Sequence, residues 1–150
     1  MADLKAVVRK RRAEYSQNKA FQPPAVVVGR FDPRRHLLPP PPSTKVLKGV
    51  SVSPGVAEGP ARVLLTADSE ERVLPGEILV APFTDPGWTP YFLPAAAIVM
   101  DMGGVLSHGS VLAREYGIPA VVNVGPATRV LRTGQRVRVD AFRGEVQVLD

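Results

Sequence analysis

The stretch MGGVLSHGSVLAREYGIPAVV, running from Met102 to Val122, decides how this 150-residue chain is read. Gly103 and Gly104 make a paired-glycine turn after the apolar run Ala97 to Met100, and Ser107 stands where a helix N-cap belongs. His108 to Tyr116 follows as a helix, with Val111, Leu112 and Ala113 available for burial, and Gly117 and Pro119 end it. Ala120 to Asn123 is strand-like again. Strand, glycine turn, helix and strand in that order form an α/β unit. Of the two histidines, His36 has no constellation around it, whereas His108 opens the helix.

Working outward, the chain from about Val46 breaks into short β-rich runs punctuated by Gly and Pro. Lys45 to Val52 alternates loosely, and Gly55 to Gly59 leads into Ala61 to Leu65. Glu77 to Ala81 and Ala97 to Met100 read as buried strands, and Gln135 to Asp140 with Glu145 to Leu149 as a closing pair around Arg143-Gly144. The expected fold class is α/β, with mixed short strands and one main site-bearing helix. Upstream, Asp3 to Ala20 lacks Gly and Pro and reads weakly as helix, its narrow apolar stripe being Leu4, Val7, Val8 and Tyr15. Gln22 to Ser43 contains Pro23-Pro24, Asp32-Pro33 and the run Pro39 to Pro42, a composition that favours extended polyproline structure. Its 22 residues span at most roughly 65 Å if wholly extended. The expected layout is a basic helical tail over 1–21, a Pro-rich linker over 22–44 and a domain over 45–150.

Composition excludes several classes of protein. Hydrophobic residues make up 45% and charged residues 22%, ordinary for a packed domain, and no apolar run reaches the roughly 18 residues of a membrane span. Without cysteine there is no disulfide scaffold, thiolate metal site or cysteine nucleophile. The net charge of +5 is unevenly distributed. Residues 1–48 hold eleven Lys/Arg against three Asp/Glu, and residues 49–150 hold eight against eleven. The basic surplus thus belongs to the tail and linker, and Lys10-Arg11-Arg12 reads as a solvated helix face, not a nucleic-acid site. The start Met-Ala-Asp-Leu-Lys lacks a secretory core, so the cytoplasm is the expected location, with no membrane partner. There is no phosphate-loop motif, no zinc-protease motif and no paired-histidine spacing, so no metal site is expected.

The 102–122 segment carries the chemistry. A helix start presents unpaired N–H groups and a partial positive charge, which suit a phosphate. Gly103, Gly104, Ser107 and Gly109 are the expected phosphate-binding positions. The two paired glycines allow close backbone approach, and Gly109 is expected to leave open space beside the imidazole. A neutral imidazole nitrogen at that position is a competent nucleophile. The structural alternative is a histidine that only hydrogen-bonds locally at a helix start. Ser107 is expected to cap the helix. Asp85 is a candidate cap for the next short helix, and Trp88 is a candidate for docking or for ordinary packing. Arg114 lies about 240° around the helix from His108, away from any phosphoryl group, and Glu115 is expected in an ion pair.

The run Gly-Gly-x-x-Ser-His-Gly-x-x-x-Ala-Arg-Glu-x-Gly-Ile-Pro-Ala-Val closely resembles the phosphohistidine signature of phosphoenolpyruvate-utilising enzymes. With Pro75 to Val80, Thr84 to Pro90 and Gly134-Gln-Arg-Val included, it is most similar to the mobile domain of the rifampicin phosphotransferase and phosphoenolpyruvate synthase group. The resemblance covers about Lys48 to Leu149. It implies a swivelling β/β/α domain with His108 as the phosphocarrier, loaded at an ATP-grasp nucleotide-binding domain. That loading consumes ATP with Mg2+ bound there, releasing AMP and phosphate. An acceptor-substrate domain then receives the group for pyruvate, an antibiotic hydroxyl or another acceptor. This domain itself is expected to bind no cofactor. Two positions depart from the pattern: Leu106 stands where many dikinases carry a regulatory Thr, and Asn123 replaces a frequent Gly and is a candidate for left-handed backbone. The competing function is a non-catalytic interaction or regulatory module that retains the fold.

Overall fold

The computed structural model describes residues 4–18 and 45–149; the linker expected over 22–44, with His36, lies outside the described residues. The chain divides into two units, one within 1–40 and one within 41–150. In the first, helix α1 (Leu4–Asn18) is exposed along its whole length, with an i,i+4 pair of Lys10 and Glu14 at 4.0 Å. No described helix is long and apolar enough to cross a membrane.

Among the described residues the second unit holds eight strands. They are β1 (Val46–Lys48), β2 (Val50–Ser53), β3 (Val56–Val63), β4 (Ile78–Ala81), β5 (Ala97–Met100), β6 (Ala120–Val122), β7 (Arg136–Asp140) and β8 (Glu145–Val148). Three helices accompany them: α2 (Thr89–Phe92), preceded by a 3-10 turn at Pro86–Trp88, α3 (His108–Tyr116) and α4 (Ala127–Val130). The strand order is β1-β8-β7-β3-β4-β5-β6-β2. The eight-residue strand β3 joins two halves: Val56 to Pro60 pair antiparallel with β7, and Ala61 to Val63 pair parallel with β4. Strands β4, β5 and β6 are mutually parallel and connected through helices, whereas the parallel pair β3 and β4 is joined by the helix-free stretch 64–77, long enough for the crossover that parallel neighbours require.

The run Lys45 to Val52, read from sequence as one strand, is two. Gly49 separates β1 from β2, and these lie at opposite ends of the strand order, so the sheet curls until its edges meet at that glycine. Gly49 N–H donates to Gly144 O at 2.8 Å, and a Cβ at Gly49 would stand 2.5 Å from Val122 O. Only glycine allows this approach.

The parallel strands bury both faces, which explains their unbroken apolar sequences. Ile78, Val80, Ala97, Val99 and Val121 face an inner core shared with Leu47, Val137, Val139 and Val146 of the antiparallel half. The alternate residues Leu79, Ala81, Ile98, Met100, Ala120 and Val122 face a second core under α2 and α3, with Trp88, Phe92 and Ala113. Period-two alternation thus builds three layers: sheet, sheet and helix. Each fully buried Ile, Leu or Val contributes about 1.5–3 kcal/mol. The single-turn helices α2 and α4 were not legible as periodic segments, because four residues carry no helical period.

Candidate functional site

Parallel strands end in loops at one edge, where ligand sites of α/β sheets form. Here the loop after β4 runs beside the turn after β5: Asp101 N–H donates to Ala81 O at 3.0 Å and Met102 N–H to Pro82 O at 2.9 Å. The turn delivers the chain into α3, which begins at His108. Gly117 ends the helix in left-handed conformation (φ 66°, ψ 28°), and Ile118 N–H reaches back to Ala113 O at 2.8 Å. Of the residues expected to be buried, Ala113 is buried and Leu112 partly so, while Val111 stays 39% exposed. The buried stripe is instead Gly109, Ser110 and Ala113.

His108 is half-buried, and its Nε2 is the one buried side-chain polar atom among the described residues that lacks a hydrogen-bond partner. The local hydrogen bond of the structural alternative is therefore not made at this atom. Leaving a buried polar atom unpaired costs about 1–3 kcal/mol, so an atom kept in that state calls for an explanation.

Ser107 occupies the N-cap position with extended backbone, yet its side chain makes no capping bond. Its Oγ lies 2.9 Å from Gly104 O and 2.9 Å from Ser110 Oγ, and Ser110 Oγ lies 2.7 Å from Gly104 O. The expected cap is corrected for this physical reason: the hydroxyl is drawn to the turn's carbonyl, and the helix-start N–H groups receive no side-chain acceptor. Gly109 is a second correction. It is buried, and a Cβ there would collide with Thr84 Oγ1 and stand 2.8 Å from Met100 Cε, so packing and not open space explains this glycine. Gly103 (φ 157°) presses on Val122, its virtual Cβ 3.1 Å from Val122 Cβ, while Gly104 is exposed with nothing within 4 Å of its virtual Cβ. Gly104 is thus the position that leaves room beside the turn.

The remaining candidates sort by contact. Asp85 accepts from Gly87 N–H at 2.8 Å and caps the 3-10 turn. Trp88 is only 2% exposed, so packing, not docking, accounts for it. Arg114 Nη1 donates to Val52 O at 3.3 Å, away from the helix start. Glu115 is exposed and makes no ion pair among the described residues, contrary to expectation. Asn123 has φ 53°, the left-handed backbone expected of it.

Two features went unread in the sequence. Asp101, 6% exposed, accepts from Thr128 N–H at 2.9 Å and from the Thr128 hydroxyl, tying β5 to α4. Burial pushes its carboxyl above the ordinary range, against the pull of Thr128 and of the α4 backbone. Around the turn, Phe83, Met102, Val105 and Leu106 are all exposed, Leu106 by 87%. A single alternation or helical period cannot flag such residues, because they lie in loops. Among the described residues no three His, Cys, Asp or Glu side chains gather to hold a metal ion.

Residues 73–144 match the profile of the PEP-utilising enzyme mobile domain. A rifampicin phosphotransferase of Bacillus cereus is 39% identical over 150 residues, covering 95% of this chain, and one of Streptomyces sviceus is 41% identical over 148. A phosphoenolpyruvate synthase of Aeropyrum pernix is 47% identical over 102 residues, 67% of this chain. The chain spans about 16% of the length of the two phosphotransferases and 12% of the synthase. Among solved structures, aconitase X of Thermococcus kodakaraensis aligns with TM-score 0.53 and 26% identity, over 70% of this chain and 98% of that one. A UPF0107 protein solved by NMR aligns with TM-score 0.54 and 20% identity, over 70% and 99%, a likeness of fold.

Proposed function

The chain carries a mobile domain of the PEP-utilising enzyme family, and from that premise we propose that His108 is its phosphocarrier. The histidine accepts a phosphoryl group at an ATP-grasp nucleotide-binding domain and passes it to an acceptor held by another domain. In loading, the lone pair of a neutral imidazole nitrogen forms an N–P bond as a P–O bond of the donor breaks. In unloading, the acceptor oxygen bonds to phosphorus, the N–P bond breaks, and the acceptor's proton is released. Pyruvate and an antibiotic hydroxyl are the acceptor types its relatives' names bring into view. ATP and Mg2+ belong to the nucleotide-binding domain, and this domain needs no cofactor of its own. The reading places the protein in the cytoplasm, where ATP is abundant.

The single observation that carries the proposal is the unpartnered His108 Nε2 at the start of a helix without a side-chain cap. A nitrogen held without a partner remains available for bond formation. Once loaded, a dianionic group there would lie near helix N–H groups, a favourable contact of up to about 2 kcal/mol at a partly buried site. The exposed rim of Met102, Val105 and Leu106 supports docking against partner domains, which such a cycle needs twice. The phosphohistidine reading also accounts for the much greater length of the relatives.

That rim equally suits a non-catalytic docking module, and substitution of the histidine separates the two. With a cognate ATP-grasp partner and labelled ATP, the chain is expected to take up acid-labile, base-stable label that His108→Ala abolishes. Label retained by His108→Ala, or tight partner binding with no label at all, contradicts the proposal.

A further inference from the structure

The turn before α3 contains more hydrogen-bond contacts than protons. Ser107 Oγ, Ser110 Oγ and Gly104 O stand mutually within 2.7–2.9 Å, and Ser107 N–H also donates to Gly104 O at 3.0 Å. Two hydroxyls supply two protons to three side-chain contacts, so one contact is always without a proton of its own. Ser110 is fully buried and makes the shortest of the three, 2.7 Å to Gly104 O. A buried hydroxyl has no water to turn to, so its proton goes to that carbonyl. With the Ser107 N–H donating as well, the carbonyl is satisfied without the Ser107 hydroxyl. Ser107 is partly exposed and next in sequence to His108, so its hydroxyl alone is able to turn away at little cost.

We propose that Ser110 is a positioning residue. Its hydroxyl holds the Gly104 carbonyl and so fixes the 103–107 turn on the start of α3, which releases the Ser107 hydroxyl to donate to a phosphoryl oxygen on His108. This inference rests on the phosphohistidine reading. Without the Ser110 hydroxyl, Ser107 is the only side-chain donor left to the turn and stays with the Gly104 carbonyl. The two serines therefore act as one unit: removal of either withdraws the same donor from the phosphoryl group.

The test loads the chain chemically, with phosphoramidate, so that no partner domain is needed. The histidine nitrogen forms the N–P bond as the donor's P–N bond breaks and ammonia leaves. Digestion at alkaline pH with mass spectrometry locates the label, and 31P NMR gives the phosphohistidine's chemical shift and lifetime. Ser110→Ala and Ser107→Ala are each expected to shorten the lifetime about three- to tenfold and to shift the 31P resonance alike. The double variant is expected to be no worse than either single one. Ser110→Cys, which fills the space but donates weakly, is expected to behave like Ser110→Ala. A wild-type lifetime and resonance in Ser110→Ala overturns the proposal, as does a double variant whose losses multiply in full, or a Ser110→Cys indistinguishable from wild type. Failure to label His108 in the unaltered chain while other residues label contradicts the phosphocarrier reading itself, and the inference falls with it.

Discussion

Gly104 and Gly109 flank the same helix start, but their surroundings differ. A methyl at Gly109 meets Met100 and Thr84, whereas a methyl at Gly104 meets nothing within 4 Å. Gly109→Ala is therefore expected to lower stability by about 1–3 kcal/mol, the ordinary cost of overpacking. Gly104→Ala is expected to stay within about 0.5 kcal/mol of wild type. Urea unfolding of both variants checks this, and equal losses would remove the packing account of Gly109. Glu77 makes a prediction in pH. The Arg62 guanidinium grips its carboxylate twice, at 2.6 and 2.9 Å, and holds it below its ordinary value of 4.5, against the opposing effect of burial. A depressed carboxyl contributes stability above its unfolded value and loses it as pH falls through the folded one. The stability gap between wild type and Glu77→Gln is accordingly expected to narrow as pH falls below 4.5. A gap that stays constant with pH contradicts the ion-pair account.

At the scale of elements, α4 depends on the side chain of Asp101, the residue that follows β5. Thr128 N–H is received by Asp101, since α4 has no side-chain cap of its own. Asp101→Ala is expected to cost about 1–2 kcal/mol, as loss of a cap does. Asp101→Asn keeps an acceptor and removes a buried charge. Because burial raises the folded-state value of this carboxyl, its contribution is present below the ordinary aspartate value of 3.8 and is lost as pH rises through the raised one. Asp101→Asn is thus expected to gain on wild type as pH rises through that window, measured by urea unfolding. A loss as large as that of Asp101→Ala contradicts this. Asp101 also shows where sequence reading stops. The strands β4 and β5, and helix α3 with its Gly117 stop, were legible because period, length and terminal glycine agree. A carboxylate that caps a helix 26 residues downstream leaves no local pattern. Ser107 misled for a related reason: residue type and position favour a cap, but the carbonyl of Gly104 competes for the hydroxyl across a turn that spacing does not reveal.

For the whole molecule, the second unit has two cores of its own within residues 41–150, and α1 buries no residue. A chain starting at Pro41 is expected to unfold cooperatively with a Tm within a few degrees of the full chain, by calorimetry. Loss of cooperative unfolding would show that the tail belongs to the core. The closure of the sheet at Gly49 was not legible, because pairing between strands adjacent in sequence is the simpler expectation and these two lie at opposite edges. The histidine proposed as the carrier stands out in the sequence through its motif, whereas the exposed rim of Met102, Val105 and Leu106 emerged only once the loops were placed. The central claim is that His108 carries the phosphoryl group between two sites. It is tested most directly by supplying the full-length protein or its cognate partners with ATP labelled at the β-phosphoryl, then locating the label by mass spectrometry at alkaline pH. The account predicts label on His108 that is discharged when acceptor is added. Label on any other residue, or acceptor phosphorylation at the normal rate by His108→Ala, would contradict it.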